Sequence, residues 1–559
     1  MLKILYKKND LRYIFIDGDK KELLELEKYL NKIPQYMFLP SFRGVPKPIV
    51  FLNRFKMNNG KFIFYCYSGL WKTIYDWCQE NNVKIDGIDN NFKYTDFNMT
   101  LEDFTNYVKS WNLTLNPYEY QIKAAWLILK YRFSLSQIAT RGGKTLIAYM
   151  IFRYMLEHGA KKILMIVPSI HLVKQGVEDM SEYQEFFTTE TIWAKGEYCS
   201  SSNLTIGTFQ SLVKKADKRS EKYDPNFFKN YDVICLDEAH TAKCESINKI
   251  LNPDWQKQVK LRFGFSGSLP KSGTIERFMC DSLMGPQIQD IRAKELMNGG
   301  FITPIEIHQI YIHHNNDETL QNRYIECGEY LNGVYKLEDG KKIILPKEQQ
   351  KFTIVHEKSL PYAIKECKQT LDKEEYIEYL IDLCKANGSN LLNLEQMLVH
   401  QDEKRVEVMD RLLTKTIHKN CIIFAHHVEY LKWLYKHFKE TFPGRPIYII
   451  NGAVNLKKRQ EIVKKMLEDK EAILLASYAC VGTGLTLKNI DYGIFAQSFK
   501  SEIINKQALG RGLCLANDKD KYRLYDLVDC FPTHRLEAQG KAKYKLYQEE
   551  GFEVYKWNA

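Results

Sequence analysis

The sequence predicts an α/β fold: two separate parallel sheets behind a small α+β domain. Short apolar runs recur at strand length, segments of helical periodicity separate them, and the runs fall into two groups, one before about Pro304 and one after about Lys419. The runs are "KILMIVP" (Lys162 to Pro168), "DVICLDEAH" (Asp232 to His240), "NCIIFAHH" (Asn420 to His427), "AILLAS" (Ala472 to Ser477) and "DYGIFAQS" (Asp491 to Ser498). Each is apolar without alternation, as a strand buried on both faces must be. Between them "TLIAYMIFRYMLEHG" and "HVEYLKWLYKHF" carry helical spacing.

The remaining chain divides around these groups. Residues 1–105, aromatic, basic and broken by prolines in "LPSFRGVPKPIVFLNRFK", form a candidate domain of ordinary size. Residues 106–305 form a first lobe, 306–418 a connector with an insertion, 419–535 a second lobe and 536–559 a helical tail. Inside the connector, "LEDGKKIILPKEQQK" reads as a hairpin or loop excursion.

Composition bounds the function. A chain of 559 residues exceeds one core of roughly 250 to 300 residues, and its 45% hydrophobic content can fill several. Lys and Arg number 80 against 69 Asp and Glu, and the net charge of +11 leans towards polyanionic partners. Thirteen cysteines without a C-x-x-C pair argue for reduced thiols in an intracellular protein rather than zinc or disulfides. No apolar run reaches membrane-spanning length and "MLKILYKKND" is no signal peptide, so a soluble cytoplasmic protein is expected, in a host's cytoplasm if it is viral.

"QIATRGGKTLIAYM" (Gln137 to Met150) ends like a phosphate-binding loop. Gly143, Lys144 and Thr145 complete G-x-x-x-x-G-K-[ST], but the first glycine falls on Ile138 and Arg141 stands where a small residue is usual. Between a strand and a helix, Gly142 and Gly143 let backbone N–H groups close around a β-phosphate, Lys144 brings a cation to the β/γ oxygens, and Thr145 offers a hydroxyl to Mg²⁺. "VICLDEAH" then ends a strand in two acids. At the carboxyl edge of a parallel sheet, Asp237 would hold Mg²⁺ through water and Glu238 would polarise the attacking water. Alone, each motif also reads as a capping turn or a solvated strand end; together they specify ATP hydrolysis.

Five motifs, P-Y-E-Y-Q (Pro117 to Gln121), G-G-K-T, D-E-A-H, S-G-S (Ser266 to Ser268) and Q-x-x-G-R (Gln507 to Arg511), stand in the order found in superfamily two helicases, over roughly Trp111 to Asp529. "FGFSGSL" (Phe263 to Leu269), "LASYACVGTGLTLKNI" (Leu475 to Ile490) and "FKSEIINKQALGRG" (Phe499 to Gly512) make the chain resemble the bacteriophage UvsW branched-DNA helicase family. The resemblance implies two RecA-like lobes, ATP and Mg²⁺ as cofactors, and DNA, branched, forked or single-stranded, as substrate. Replication or recombination proteins are the further partners it implies.

Carried over by position, the resemblance gives Tyr120 and Gln121 an adenine-side role and Ser266 and Ser268 the coupling of nucleotide to strand. It places Gly484 and Thr486 near ATP, and Gln507 and Arg511 at the γ-phosphate across a cleft. The pattern's second arginine, Q-x-x-G-R-x-x-R, is here Cys514, so Arg141 is a candidate substitute cation. Strand contacts are expected from Ser169, Thr208 and His427, on loops at the sheet edge opposite the nucleotide; as local caps, Thr208 and His427 would serve equally. In residues 1–105, Arg43, Lys47, Arg54, Lys56, Lys61 and Lys72 interleave with Tyr65, Tyr67 and Trp71, the ingredients of single-strand or junction binding. For the three rings the core of a small β-rich domain is the favoured reading. An RNA-directed helicase and a nucleotide-gated binding protein with weak turnover are the alternatives, since phosphate contacts do not distinguish the sugars.

Overall fold

The computed structural model describes residues 1–7, 10–34, 47–56, 62–87, 97–193, 201–251, 259–314, 334–336, 342–344, 402–481, 489–497, 520–530 and 535–559, with a few isolated positions besides. The chain divides into two compact units, Met1–Arg292 and Ala293–Ala559.

The first unit opens with a five-stranded sheet in the order β3-β4-β2-β1-β5. The strands are β1 (Leu2–Lys7), β2 (Asp10–Gly18), β3 (Asn53–Lys56), β4 (Phe62–Tyr67) and β5 (Ile85–Asp86). Helices α1 (Lys20–Leu30) and α2 (Trp71–Glu80) fill its core, where Leu26, Leu30, Ile74 and Trp77 meet Ile4, Ile14, Ile16, Phe64 and Cys66. Asp19 starts α1 by accepting from the Lys21 and Glu22 N–H groups at 2.9 and 3.2 Å. A helix from further along the chain, Ile275–Met284, enters this core through Phe278, whose ring lies 5.6 Å from both Tyr29 and Phe51. Gly69 lets the two come together, because a side chain there would meet the Asp281 carbonyl oxygen at 2.0 Å.

The larger part of this unit is an all-parallel seven-stranded sheet, β12-β6-β11-β10-β7-β9-β8. Its strands are β6 (Phe133–Ile138), β7 (Ile163–Val167), β8 (Thr189–Ile192), β9 (Leu204–Thr208), β10 (Val233–Leu236), β11 (Leu261–Ser266) and β12 (Gln287–Ile291). Helices α3 (Leu101–Ser110), α4 (Glu119–Lys130), α5 (Lys144–Glu157), α6 (Ile170–Tyr183) and α7 (Phe209–Ala216) flank it. α5 buries an unbroken run from Leu146 to Phe152, as a helix enclosed on nearly all sides does.

The second unit holds another all-parallel seven-stranded sheet, β17-β18-β16-β19-β20-β13-β21. Its strands are β13 (Ile305–His313), β16 (Cys421–Ala425), β17 (Ile447–Ile450), β18 (Ile473–Ser477), β19 (Tyr492–Phe495), β20 (Tyr522–Cys530) and β21 (Glu553–Asn558); β14 (Val334–Lys336) and β15 (Lys342–Ile344) form a two-stranded antiparallel sheet apart from it. The connector and the tail therefore each lend a strand to this sheet. β13 pairs with β20 over nine residues, and β21 lies along its other side.

Buried ion pairs tie the second sheet together. Arg405, wholly buried, bonds the Asp529 carboxylate and the Ala496 carbonyl, and His314 lies 3.0 Å from Asp529 and 3.1 Å from Asp402. Asp526 takes Lys543 and accepts from Gln309 and Tyr547 at 3.0 and 3.1 Å. The described cysteines are free thiols, and no described helix is long and apolar enough to cross a membrane.

Candidate active site

In the first unit the carboxyl ends of β6, β10 and β11 bring the motifs together. After β6 the chain turns through Arg141 and Gly143, both at left-handed φ (+72° and +74°), and α5 starts at Lys144. Glycine is required at 143 for a second reason: an added Cβ would lie 2.0 Å from Gln121 Nε2. The Gly142 carbonyl accepts from Tyr120 OH at 3.0 Å and from Gln121 Nε2 at 3.4 Å, while Gln121 Oε1 accepts from the Tyr118 N–H at 2.9 Å. Both expected adenine-side residues thus brace the phosphate loop, and the Tyr118 ring stacks on Tyr120 at 6.0 Å.

The acids of D-E-A-H follow β10 directly. Burial, and then repulsion from Glu238, push the Asp237 carboxyl above the usual carboxylate range, against the pull of Lys144. Glu238 sits at φ +52°, with Oε1 4.0 Å from Lys144 Nζ and Oε2 3.3 Å from His240 Nδ1. His240 Nδ1 also lies 3.0 Å from Ser266 Oγ. Ser266 Oγ donates to the Ser268 carbonyl at 2.6 Å and accepts from the Ser268 N–H at 3.3 Å. The Ser266 proton being engaged, His240 Nδ1–H is the donor on that side. One chain of polar contacts therefore runs from Lys144 through Glu238 and His240 to the S-G-S turn. Gln137 on β6 holds that turn from below, accepting from the Leu269 N–H at 2.9 Å and donating to Asp290 at 2.9 Å.

Thr145 stands at the start of α5, near Asp179 on α6, which accepts from Gln175 Nε2 at 3.5 Å. Burial raises the Asp179 carboxyl to about 6, and bonds from Gln175 and Thr145 restrain it. The Thr145 hydroxyl and the Asp237 carboxylate are oxygen donors of the type Mg²⁺ takes. The residues present fit that ion. His240 and Asp179 were not singled out from sequence; the first is spelled in D-E-A-H, whereas the second has no motif.

One expectation is corrected. Ser169, Thr208 and His427 follow β7, β9 and β16 at their carboxyl ends, so Ser169 and Thr208 share the edge of their sheet with the phosphate loop rather than lying opposite it. In an all-parallel sheet every strand points the same way, and separation comes sideways, along the strand order. Ser169 caps α6, its Oγ accepting from the Leu172 N–H at 3.4 Å. Thr208 and His427 occupy cap positions without a side-chain cap bond: Thr208 Oγ1 donates to Ser211 Oγ at 3.0 Å, and the His427 N–H donates to Gln497 Oε1 at 3.1 Å. Burial, then His426, lower the His427 ring to about 4, so it is neutral near pH 7. Lys47 and Arg54 are exposed, with Arg54 3.5 Å from Glu27. Gly484, Thr486, Gln507, Arg511, Cys514, Arg43 and Lys61 lie outside the described residues.

Residues 113–271 match the family of the type III restriction enzyme, res subunit, and residues 404–514 the helicase conserved C-terminal domain. The chain is 24% identical over 444 residues to the ATP-dependent DNA helicase uvsW of Enterobacteria phage T4, covering 78% of this chain and 73% of that one. It is 23% identical over 117 residues to the putative ATP-dependent helicase/translocase YwqA of Bacillus subtilis (strain 168), 21% of this chain and 12% of that protein. Among solved structures, T4 UvsW aligns over 100% of this chain and 99% of its own at 19% identity and a TM-score of 0.43. The ATP-dependent Type ISP restriction-modification enzyme LlaBIII bound to DNA aligns over 86% of this chain and 34% of its own, at 13% identity and a TM-score of 0.52, a likeness of fold. With a res-subunit domain carrying the phosphate loop and acid pair, and a helicase C-terminal domain behind it, the chain is an ATP-hydrolysing helicase.

Proposed function

We propose that the protein moves along a DNA strand at the expense of ATP and remodels forked or branched DNA in replication, recombination or repair. The observation that carries this is the contact chain Lys144–Glu238–His240–Ser266, which joins phosphate loop, water-polarising acid and S-G-S turn in one cluster. The likeness to an ATP-dependent DNA helicase along most of both chains supports DNA as the track.

In this reading Gly142, Gly143 and Lys144 bind the phosphates, and Glu238 orients the attacking water. Thr145 and Asp237 hold Mg²⁺, which when bound neutralises charge on the β and γ oxygens. His240 and Ser266 report the state of that site to the S-G-S turn. Arg141 supplies a further cation, and Gln507, Arg511, Gly484 and Thr486 take the nucleotide roles that their motif positions imply. Phosphates of the strand meet backbone N–H groups beside Ser169 and Thr208, the Thr208 hydroxyl and the neutral His427, while Arg43, Lys47 and Arg54 serve the N-terminal domain.

The test is ATP turnover measured without nucleic acid and with single-stranded DNA, forked DNA, a four-way junction and RNA. Forked or four-way DNA should stimulate most. Turnover indifferent to every nucleic acid, or stimulated most by RNA, would sink the reading.

A further inference from the structure

The N-terminal sheet has a second face that its helices do not fill. Register brings Leu5 opposite Phe15 on β1 and β2, Tyr13 opposite Tyr67 and Phe15 opposite Tyr65 on β2 and β4, and Phe55 opposite Ile63 on β3 and β4. Side chains alternate along a strand, so these residues share the face turned away from Ile4, Ile14, Ile16, Phe64 and Cys66, which meet α1 and α2. A run such as "FIFYCY" is therefore split, with Phe64 and Cys66 in the core and Tyr65 and Tyr67 on the other side. Leu5 and Phe55 are 42% and 44% exposed, and Tyr13, Phe15 and Tyr65 are half-buried.

The rings form one sheet of π surface. Tyr13 stacks on Tyr67 at 5.0 Å and 25°, and Tyr65 contacts Tyr13, Phe15 and Phe55 at 6.1, 6.1 and 5.9 Å. Cations stand at the edge of this face: β3 carries the exposed Arg54 and Lys56, which register with Phe64 and Phe62 places on the helix side, with Arg54 3.5 Å from Glu27. On the face itself Asp17 stands opposite Lys3, while Glu22, Glu25, Glu27, Asp76 and Glu80 belong to the helices beyond the sheet.

We propose that this open face is a base-stacking platform for a single DNA strand, holding two or three unstacked bases on Phe15, Tyr65 and Phe55 while Lys3 on the face and Lys56 at the β3 edge meet the phosphates. Exposed aromatics on a small sheet are a sequence-tolerant way to hold single strands, and each base stacked is worth about 1–3 kcal/mol. The inference rests on the reading of the protein as a DNA motor and goes beyond it, because it gives the N-terminal domain a preference for unpaired strand that phosphate contacts alone do not supply.

The test uses the full chain and two probes, a 20-nucleotide oligo-dT strand and a blunt duplex, in a salt titration. Phe55→Leu and Tyr65→Leu keep apolar bulk but remove the π face. Each should weaken oligo-dT binding roughly 5- to 150-fold, the equivalent of about 1–3 kcal/mol, and leave duplex binding, salt slope and unfolding temperature as in the parent. Oligo-dT affinity like the parent's in the double variant would overturn the platform, as would an equal loss on duplex. A protein ligand whose binding is lost in both variants while oligo-dT binding persists would assign the face to a protein partner instead. The underlying reading fails separately, through ATP turnover that no DNA stimulates.

Discussion

Each unit buries carboxylates on or beside a central parallel strand, and the two treat them oppositely. In the second unit burial works against the Asp529 charge, but Arg405 and His314 overcome it and hold the carboxyl below its usual range. In the first unit Asp237 is half-buried, burial and repulsion from the neighbouring Glu238 carboxylate outweigh the pull of Lys144, and its pKa is raised. Backbone strain divides the same way. Among the described residues the non-glycine positions at left-handed φ are Asn82, Asn112, Arg141 and Glu238, all in the first unit. Asparagine tolerates that region; arginine and glutamate do so at a cost of about 1–2 kcal/mol each. The second unit's charges are completed within the fold and serve the fold. At the phosphate loop and acid pair of the first unit the charges are left incomplete: Mg²⁺ would balance the carboxylates, and phosphates would balance Lys144 and Arg141.

The sharpest way to break this comparison is at the two ends of the contrast. Glu238→Gln keeps shape and removes the base, and DNA-stimulated turnover should fall about 10²- to 10⁴-fold while ATP still binds; near-parental turnover would take this carboxylate out of the mechanism. Arg405→Met should act on stability instead. It leaves Asp529 buried with only His314, and chemical denaturation should register a loss of about 3–5 kcal/mol, with hydrogen exchange showing β20 opening first. Asp237→Asn should do the reverse, abolishing turnover while stabilising the first unit by on the order of 1 kcal/mol. Its sign with pH follows from the raised carboxyl: the stability it contributes is complete below the ordinary carboxylate pKa and is lost as pH rises through the higher folded value. The advantage of the asparagine variant should therefore grow from pH 4 towards neutrality. A gap that narrows would mean Asp237 is compensated after all.

How much of this was legible in advance depends on whether a signal is local. The runs at Ile163–Val167, Val233–Leu236, Cys421–Ala425 and Ile473–Ser477 are buried throughout, so uniform apolarity marked them. β6 is different: Ser134 and Ser136 are buried within it, and only its phosphate loop announced a strand. β13 and β21 were read into the connector and the tail because a strand's sheet is chosen by partners over 200 residues away. The link from His240 to Ser266 and the approach of Asp179 to Thr145 likewise depend on folding, not on spacing. The rings at Tyr65 and Tyr67 were expected in the core of a small β-rich domain and lie on its other face, because an apolar run does not say which of its two sides faces the helices.

The finest test of the contrast is Arg141, where a charged side chain occupies a left-handed turn that suits glycine. Its Nε and Nη2 are buried without a hydrogen-bond partner, a cost of about 1–3 kcal/mol for donors that folding gains nothing by enclosing. Arg141→Gly removes both burdens, since glycine adopts φ +72° freely. Thermal unfolding should therefore shift upward by the equivalent of about 1 kcal/mol, some of the gain being offset by the greater entropy of glycine in the unfolded chain. If the guanidinium is kept for charge that develops on the transferred phosphoryl group, the same variant should lose turnover far more than ATP affinity. Cys514→Arg, restoring the second arginine of the motif, should then recover part of the loss. A variant that is more stable and hydrolyses ATP as fast as its parent in saturating DNA would show that the strain at Arg141 has no part in catalysis, and that the first unit's imbalance is confined to Asp237 and Glu238.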